Sequence, residues 1–487
     1  MVCPESKNER RVKMKLHPAL KRISTTTLEV QNPQSVPTKI FAKEEVQIEN
    51  GAVDELLNFI KVHDDFKAAG SGHLDEVVVT PDFHKGRGIP IGTVALVTGA
   101  VLPQAIGSDV GCGVGVLTTD VSAQELAGVW PQLQAKLRHL FFEGGRDIPM
   151  SPRQREAMLL RGPQGLVETY QDNEGQGLWR YWDLEAQSIA VNDYCGPEAV
   201  DTVFAFDDFI KGSGGQSSRD AQTGSIGGGN HFVEIQQVAE ILDGGRAHAA
   251  GFRRGECTVM VHSGSVSLGH AVGGHFTDKA RAAWPKKLPK PTSGFYGLTG
   301  EIARQYMEAE INAVNFAACN RLFLGLMVIR ALTETLGRQV KHRLVYDGVH
   351  NWIDMNYGMA LHRKGACPAF DNAPVLIPGS MGDSSYVLNG LGNQDALHSA
   401  CHGAGRQMSR GKAMKVEVQE KLRIVTPVDP ESQQVKSRRD ILKKYEQRLA
   451  EESPAAYKPV TPIIETVQEA GIADPVVRLK PLLTIKG

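Results

Sequence analysis

The glycine-rich stretch 107–115 carries two side chains that could act together chemically. Asp109 and Cys112 lie three residues apart, and four glycines stand around them. Glycine reaches backbone conformations with positive φ, so the chain can turn sharply and direct both side chains at one point. A carboxylate oxygen and a thiolate at one point can bind the same metal ion. Because a lone cysteine in apolar surroundings is more often a core residue, this prediction needs donors from elsewhere.

Three histidines supply such donors. His231, His262 and His350 each lie in a segment that looks like the end of a strand. Thiolate, imidazole and carboxylate are ligand types for first-row divalent metals, and a bound metal would keep Cys112 as the thiolate. With Asp109 and Cys112 they make five donors, more than one tetrahedral site needs. We therefore expect two metal ions bridged by Cys112. The chain has 15 histidines, so only the whole set carries weight.

The segment 401–410, CHGAGRQMSR, is a second candidate site. His402 lies in a Gly-rich turn predicted to open a helix, where backbone N–H groups can bind phosphate. Arg406 and Arg410 are four residues apart and would share one helical face. His402 is then an anion ligand, a base, or a nucleophile that forms a covalent intermediate. The alternative, a helix-capping turn with surface arginines, stays open on the residues alone.

The elements that must position these residues follow a mixed α/β (α+β) pattern. Short apolar strands are predicted at 77–80, 258–261, 343–346 and 375–377, and each leads into a polar or Gly-rich loop. A first helix is predicted at 51–67. The strongest helix is predicted at 301–336, with one buried face and a stop at Gly337. That face is formed by Ala303, Met307, Ile311, Val314 and Ala318.

The domain organisation predicted is one catalytic domain over residues 1–487, because no repeat, low-complexity tract or linker divides the chain. Residues 1–40 are polar and interrupted by proline, so we expect a loosely packed lead-in. The segment 275–300 is rich in proline and lysine, including Lys286, Lys287 and Lys290, so we expect an exposed excursion.

The composition limits the partners and the compartment. The 54 basic and 55 acidic residues give a net charge of −1, so a nucleic-acid partner would need a local basic patch. Seven cysteines without a CxxC pair favour reduced thiols and a cytoplasmic protein. The N-terminal residues are charged throughout, unlike a signal peptide. No uninterrupted apolar run reaches about 18 residues, so we expect no membrane association.

Common signatures of nucleotide and metal enzymes are absent from the sequence. Ala413 stands where the phosphate loop GxxxxGK[ST] needs Ser or Thr, and no HExxH occurs. Val345 stands where the KxDG signature of nucleotidyl transferases needs its lysine nucleophile. Nucleotide chemistry in this chain would therefore use another nucleophile.

Nine motifs follow one another along the chain: PDFHKGRG (81–88), GSDVGCG (107–113), GGGNHFVE (227–234), HSGS (262–265), HN (350–351), HRKGA (362–366), IPGSMG (377–382), CHGAGRQMSR (401–410) and RLKPLLTIKG (478–487). Taken together they resemble the RtcB family of RNA-splicing ligases, from about residue 82 to the C-terminus. The resemblance implies the family's own fold type and an RNA ligase that depends on manganese and GTP. Manganese rests on the resemblance alone, because it binds most weakly in the usual order of divalent metals.

The resemblance also implies roles for individual residues. Cys112, His231 and His262 would bind one manganese ion, and Asp109, Cys112 and His350 would bind a second. His402 would attack the α-phosphate of GTP and hold GMP through a P–N bond. The residues implied in binding GMP are Asn230, His231, Phe232, Val233, Glu234, His350, Asn351, Pro378, Gly379, Ser380, Met381, Ser385, His402, Gly403, Ala404, Gly405 and Lys486.

The implied reaction joins an RNA 3′-phosphate or 2′,3′-cyclic phosphate end to a 5′-hydroxyl end, in tRNA splicing or RNA repair. It passes through an RNA 3′ end activated with GMP. One alternative is a guanylyltransferase that caps nucleic-acid 3′-phosphate ends with GMP without efficient joining. Another is an RNA-binding protein without catalysis, which the intact set of metal donors and His402 disfavours. Some family members need an activator called archease, and the sequence leaves this open.

One position departs from the family pattern. Members commonly have arginine after HSGS, whereas this chain has Val266 followed by Ser267. An arginine near the metals would suit an RNA phosphate. The departure therefore concerns how the RNA is held.

Overall fold

The computed structural model describes residues 16–183, 199–204, 222–356, 358–415 and 423–487. Two β-sheets with helices packed on them form its framework, which confirms the predicted mixed α/β class. In chain order the strands of the described residues are β1 (Leu20–Arg22), β2 (Thr27–Val30), β3 (Thr38–Phe41), β4 (His73–His84), β5 (Ile91–Thr98), β6 (Gly113–Ser122), β7 (Phe232–Ile241), β8 (Glu256–Ser263), β9 (His342–Val349), β10 (Asn351–Asn356), β11 (Met359–Lys364), β12 (Ala366–Pro368), β13 (Pro374–Ile377), β14 (Ser385–Gly390), β15 (Ser399–Cys401), β16 (Ile424–Val425) and β17 (Ala473–Ile485).

The α-helices of the same residues are α1 (Asn50–Ile60), α2 (Val62–Ala69), α3 (Pro103–Ile106), α4 (Trp130–Phe142), α5 (Pro152–Glu168), α6 (Gly244–Ala249), α7 (Val266–Ala283), α8 (Gly300–Leu336), α9 (Arg410–Ala413), α10 (Gln433–Lys436), α11 (Arg439–Glu451) and α12 (Val460–Glu469). The helix predicted at 51–67 is present as α1 and α2, which are separated at Lys61.

The two large sheets differ in their strand order. The first sheet has seven strands in the order β1-β2-β3-β4-β5-β11-β10. The second has eight strands: seven follow the order β13-β14-β17-β7-β8-β6-β9, and β16 pairs with β17 in parallel. Strands β12 and β15 form a separate two-stranded ribbon.

Four neighbouring strands of the second sheet, β7, β8, β6 and β9, bring their ends to one edge. An antiparallel strand begins beside the point where its neighbour ends. Accordingly, Phe232 at the start of β7 pairs with His262 near the end of β8. Gly113 at the start of β6 pairs with both Ser263 and Val349. The candidate ligands at this edge or one residue beyond it are Cys112, His231, His262 and His350.

The chain changes sheets twice beside this edge. It leaves the first sheet after β5, passes through α3 and the loop 107–112, and enters the second sheet as β6. It returns to the first sheet at His350, between β9 and β10. Backbone hydrogen bonds join the two crossings: the His350 N–H donates to the Cys112 carbonyl (2.8 Å), and the Gly111 N–H donates to the Asn351 carbonyl (2.9 Å). The candidate ligands therefore lie where the two sheets meet.

Helix α8 confirms the predicted long helix, but its burial differs from the prediction. Every residue in 312–329 is buried, whereas Ala303, Met307 and Ile311 of the expected face are only half-buried. The reason is that other elements pack around the middle of the helix, among them α4, α5 and β8. By length and hydropathy α8 could cross a membrane, but 89% of its most apolar 18-residue window is buried inside the protein. Core packing accounts for its apolar character.

The expected loose lead-in is wrong for residues 16–40, and residues 1–15 lie outside the described part of the chain. Strands β1, β2 and β3 form one end of the first sheet. Leu28 and Ile40 are fully buried, because the apolar residues of these short strands alternate and face the core beneath α1 and α2.

The expected exposed excursion at 275–300 is wrong at both of its ends. Residues up to Ala283 continue α7, which buries Phe276 and Ala280. Phe295 returns to the core, where its ring centroid lies 5.2 Å from that of Phe59 in an edge-to-face contact. Residues 281–290, which include the three lysines, are mostly exposed as expected.

Gly111 allows the loop 107–112 to pack against α8, and this contact is testable. A Cβ at Gly111 would lie 2.9 Å from the Cα of Val314, whereas a Cβ at Gly70 would meet nothing within 4 Å. Both glycines have positive φ (73° and 63°), so alanine costs similar backbone strain at each. We expect Gly111→Ala to reduce the free energy of unfolding by about 1–3 kcal/mol more than Gly70→Ala, because only Gly111 would be overpacked. Urea denaturation measures both, and equal losses would contradict this packing.

Candidate active site

Cys112, His231 and His262 come together as predicted. The Cys112 Sγ lies 3.2 Å from the Nε2 of His231 and 3.3 Å from the Nε2 of His262. All three side chains are buried, and their donor atoms lie within 4.8 Å of one another. One thiol and two imidazoles at this separation can close on a single ion.

The chemistry of this donor set fits a first-row divalent metal. The Nδ1 of His231 lies 3.1 Å from the Ile226 carbonyl, which would keep a proton on Nδ1 and leave Nε2 to a bound metal. Burial lowers the pKa of His262 well below its ordinary value, and the nearby His231 adds to this, so the ring is neutral and can donate. Burial also raises the pKa of the Cys112 thiol, and the Asp109 charge adds to it. A bound cation would favour the thiolate instead.

Asp109 belongs to the same cluster. Its Oδ2 lies 3.2 Å from the Nε2 of His231. Burial acts to raise the pKa of Asp109, but His231 and then Lys364 outweigh it and hold the pKa well below the ordinary value. The Asn351 side chain fixes the loop by donating to the Asp109 carbonyl (3.1 Å). The predicted carboxylate is therefore ionised and held beside the thiol and imidazoles.

His350 connects this cluster to His402. Its ring centroid lies 5.1 Å from that of His262 and 4.7 Å from that of His402. Burial lowers the pKa of His350 well below its ordinary value, with His402 the next cause, so this imidazole is also neutral. The two candidate sites of the sequence are thus one site.

His402 is held by a carboxylate that the sequence did not single out. The Nδ1 of His402 lies 2.6 Å from the Oδ2 of Asp82, and the Thr80 hydroxyl donates to the Oδ1 of Asp82 (2.5 Å). Burial acts to raise the pKa of Asp82, but His402 outweighs it and keeps the pKa below the ordinary value. A carboxylate at Nδ1 favours the tautomer with the proton there, which leaves the Nε2 lone pair free. The one available signal was the position of Asp82 in the motif PDFHKGRG, at the end of β4.

Lys458 holds the turn of His402 against β4. Its Nζ donates to the carbonyls of Pro81 (3.2 Å) and Phe83 (2.5 Å), and its backbone N–H donates to the Gly405 carbonyl (2.9 Å). A Cβ at Gly405 would lie 2.0 Å from the Asp82 carbonyl oxygen, so only glycine permits this approach. Burial lowers the pKa of Lys458 to about 8, and the nearby Asp82 opposes this. No pattern in the sequence indicated this lysine.

Arg321 of α8 is a second residue that the sequence analysis missed. It is 1% exposed and donates to both carboxylate oxygens of Asp347, at 2.7 Å and 2.5 Å. Its third nitrogen donates to the carbonyls of Gly111 (2.8 Å) and Ser263 (2.9 Å). The guanidinium therefore fixes the loop of Cys112 relative to the strand of His262. A charged residue inside the apolar run of α8 was the available signal.

One cavity of about 780 Å³ contains most of the predicted site. His231, Val233 and Ser385 do not line it. The Nε2 of His231 lies 3.2 Å from the Sγ of Cys112, which does line it, and the Ser385 hydroxyl accepts a hydrogen bond from the backbone N–H of Gly379 (3.1 Å). The predicted residues that line it are Asp109, Cys112, Asn230, Phe232, Glu234, His262, His350, Asn351, Pro378, Gly379, Ser380, Met381, His402, Gly403, Ala404, Gly405 and Lys486.

The cavity carries more basic than acidic side chains. Its cationic lining residues are Lys85, Arg87, Lys364, Arg406, Arg410 and Lys486, and its carboxylates are Glu49, Asp109, Glu234 and Glu452. This excess suits a ligand that carries several phosphate charges.

Glu234 and Lys486 lie on the wall formed by β7 and β17. Burial raises the pKa of Glu234 to about 7, although Thr484 and Gln236 donate to its oxygens at 2.6 Å and 2.8 Å. The Nζ of Lys486 lies 3.4 Å from Glu452. A carboxyl group and an ammonium group in one wall can recognise a polar base or a phosphate.

The prediction that Arg406 and Arg410 share a helical face is wrong. Helix α9 begins only at Arg410, and Arg406 lies in the preceding turn. Arg406 instead forms an ion pair with Glu452 at 2.5 Å, and Arg410 forms one with Glu451 at 3.3 Å. Tertiary contacts with the end of α11 therefore place the two arginines beside the cavity.

Val266, the departure from the family pattern, begins α7 directly after HSGS. Its φ is 50°, in the left-handed region that a β-branched residue rarely adopts. The side chain is half-buried and offers no hydrogen-bond donor.

Comparison with known proteins gives one consistent result. A family model described as tRNA-splicing ligase RtcB matches residues 67–487. The tRNA-splicing ligase RtcB of Pyrobaculum aerophilum is 31% identical over 84% of this chain and 87% of its own length. That of Thermococcus kodakarensis is 30% identical over 96% and 99%. The RNA-splicing ligase RtcB2 of Escherichia coli is 28% identical over 93% and 97%.

The Arg321–Asp347 pair yields a stability prediction. We expect Arg321→Met to reduce the free energy of unfolding by about 3–5 kcal/mol, because Asp347 would remain as a buried, unpaired charge. The double variant Arg321→Met/Asp347→Leu should recover part of this loss, since neither buried charge then remains. Urea denaturation followed by circular dichroism measures both. A double variant less stable than Arg321→Met would contradict the assignment.

Proposed function

Because the chain belongs to the RtcB family of tRNA-splicing ligases, we propose that it is a cytoplasmic RNA ligase of tRNA splicing or RNA repair. It would join an RNA 3′-phosphate or 2′,3′-cyclic phosphate end to a 5′-hydroxyl end. The observation that carries the proposal is the arrangement of His402. Asp82 orients it at one nitrogen, and His350 places it beside the Cys112–His231–His262 cluster in the same cavity.

Two manganese ions would be held by residues of this cavity. Cys112, His231 and His262 would hold one, and Asp109, Cys112 and His350 the other. When bound, such a pair screens charge between phosphates and stabilises an in-line displacement. The buried, neutral imidazoles of His262 and His350 support this, since each needs no deprotonation before it donates.

GTP would be a substrate, and His402 would be the nucleophile. With the proton on Nδ1 beside Asp82, the Nε2 lone pair of His402 would attack the α-phosphorus of GTP. A P–N bond forms and pyrophosphate leaves. Asp82 stabilises the positive charge that develops on the imidazole, because it is ionised, buried and 2.6 Å away.

The nucleotide would occupy the wall around Glu234 and Lys486. Phe232 lines the same wall and offers an apolar surface. The segment 378–381 and the turn 403–405 line the cavity beside His402, where their backbone groups can contact a phosphate or the base. Ser385 would position the segment 378–381 for this ligand, because its hydroxyl accepts a hydrogen bond from the backbone N–H of Gly379.

The remaining steps transfer GMP and release it. An oxygen of the RNA 3′-phosphate would attack the phosphorus held by His402, which breaks the P–N bond and leaves an RNA end joined to GMP. The 5′-hydroxyl oxygen would then attack the RNA phosphorus, so that a phosphodiester bond forms and GMP leaves. Lys364, whose Nζ donates to the Ile106 carbonyl (2.7 Å), lies beside Asp109 and can contact a phosphate oxygen there. Whether an archease-type activator assists is decided by comparing rates with and without one.

The His402 assignment predicts one covalent GMP on the protein. Incubation with Mn²⁺ and GTP labelled at the α-phosphate should label the chain, and the label should be lost in acid but resist alkali, as a phosphoramidate does. His402→Ala should abolish the label and retain metal, because His402 is not a proposed ligand. His248→Ala, an exposed histidine outside the cavity, is the control. An undiminished acid-labile label in folded His402→Ala would exclude this nucleophile.

The same reaction with an RNA that carries both ends separates two activities. Joined product on a denaturing gel supports the ligase. RNA that accumulates with GMP at its 3′ end, without joining, would establish the guanylyltransferase alternative instead.

The metal assignment predicts that Cys112→Ser loses manganese and activity together. A serine hydroxyl is not ionised near neutral pH, so both ions would lose their bridging anion. Cys257→Ser, another buried free cysteine, should keep both, because it lies outside the cavity. Metal content of the purified variants is measured by mass spectrometry. Two ions retained in Cys112→Ser would contradict the bridging role.

A further inference from the structure

A groove continues from the active-site cavity along helix α7. Its volume is about 510 Å³, and it shares Arg87, Gln104, Gly107 and Ser108 with the cavity. The loop that carries Asp109 therefore forms the opening between the two spaces. A molecule whose end reaches the reaction centre can extend into the groove and remain in contact with the protein.

Tight backbone contacts hold the groove walls in place. A Cβ at Gly273 of α7 would lie 2.5 Å from the Gly107 carbonyl oxygen, so this helix packs directly on the loop 107–112. On the opposite rim the Gln104 side chain donates to the Gly294 carbonyl (3.3 Å) and accepts from the Tyr296 N–H (2.9 Å). The groove thus has a fixed position relative to the candidate metal ligands.

Five of the residues that line the groove are glycines. Gly274 and Gly294 line it, and a Cβ at either one would meet nothing within 4 Å. These glycines leave space along the groove, and polar side chains beside them, such as those of Thr277 and Arg281, can contact a polar backbone. They suit a uniform, extended ligand.

The groove lining carries two cations, Arg87 and Arg281, and one carboxylate, Asp278, and the segment 266–298 that forms part of it is basic in a chain that is neutral overall. Residues 266–298 contain five cations, Lys279, Arg281, Lys286, Lys287 and Lys290, and Asp278 is their only Asp or Glu. Arg281 lines the groove, and Arg87 faces it from the other side. The 3.2 Å ion pair of Arg281 with Asp278 is exposed and therefore weak, so Arg281 can bind another anion in place of Asp278. The Asp65 carboxylate fixes the rim segment 292–293, because it accepts hydrogen bonds from the backbone N–H groups of Thr292 and Ser293.

We propose that this groove binds the phosphodiester backbone of single-stranded RNA that leads away from the joining site, an inference that rests on the proposed ligase function. Two arginines line a groove that opens into the joining site, so they can contact the phosphates of such a strand, and contacts of this kind position RNA without reading its sequence. The strand can belong to the 3′-phosphate end or to the 5′-hydroxyl end. Both present the same backbone chemistry, and the experiment distinguishes them.

The charge is tested with Arg281→Ala. Fluorescence anisotropy measures the binding of two labelled 12-nucleotide RNAs without GTP, one with a 3′-phosphate and one with a 5′-hydroxyl, across a salt series. For one of them, Arg281→Ala should reduce the slope of log affinity against log salt by about 0.7, the value for one phosphate contact on a single strand. Arg253→Ala is the matched control, because Arg253 is exposed, pairs with Glu256 three residues on, and lies outside both spaces.

The shape is tested independently with Gly274→Phe, which fills the groove without altering charge. Gly274 has no positive φ and lies within α7, so the helix should tolerate phenylalanine. We expect at least a tenfold loss of affinity for the same RNA and unchanged labelling of His402 by GTP. Gly244→Phe on α6, also exposed and with nothing within 4 Å, is the control.

The outcomes separate this inference from the function on which it rests. Weakened binding of one RNA in both variants, with intact GMP labelling, supports the groove and identifies the strand. Wild-type binding of both RNAs in both variants overturns the groove, even if wild-type protein labels and joins RNA. Failure of wild-type protein to label with GTP would instead refute the proposed function, and the binding assay still decides the groove.

Discussion

The buried guanidinium of Arg321 is the constraint on which the site depends. It lies in the middle of α8, where every neighbouring residue is buried, and a charge in that position requires partners. Asp347 neutralises it with two hydrogen bonds, and the carbonyls of Gly111 and Ser263 accept its remaining donors. These carbonyls belong to the segments that carry Cys112 and His262. Satisfying one buried charge therefore also fixes the distance between two candidate ligands.

A second set of constraints joins distant parts of the chain around His402. The end of β4 supplies Asp82, the turn after β15 supplies His402, and Lys458 bonds to both segments. Gly405 approaches the Asp82 carbonyl too closely for any Cβ, and the two segments cannot separate without breaking the hydrogen bonds of Lys458. An imidazole held in this way has one nitrogen fixed by a carboxylate and the other free. That is the geometry a nitrogen nucleophile requires.

Charge is distributed unevenly in a protein that is neutral as a whole. Cations exceed carboxylates in the cavity lining, and the segment 266–298 has five cations against one carboxylate. Such local fields attract a polyanion to one face without making the whole surface bind nucleic acid. The cavity and the groove meet at Gly107 and Ser108, so the loop that carries two candidate ligands also lines the groove.

Local sequence patterns were enough to predict a set of metal donors and a candidate nucleophile. Residue types and motif order identified Asp109, Cys112, His231, His262, His350 and His402, and the glycine spacing and apolar runs indicated strand ends and the helix α8. These features are local, so they can be read from neighbouring residues.

The sequence analysis did not predict the roles of three residues, Asp82, Arg321 and Lys458, because these roles depend on partners far away in the chain. The sequence analysis also did not predict the packed strands in residues 16–41 or the continuation of α7 to Ala283. The reason is the same, since a polar or proline-rich segment becomes ordered only through the core against which it packs. No local pattern indicated that the two candidate sites form one cavity. This follows from the antiparallel pairing of four strands, which sets the chain segments that meet where the two sheets join.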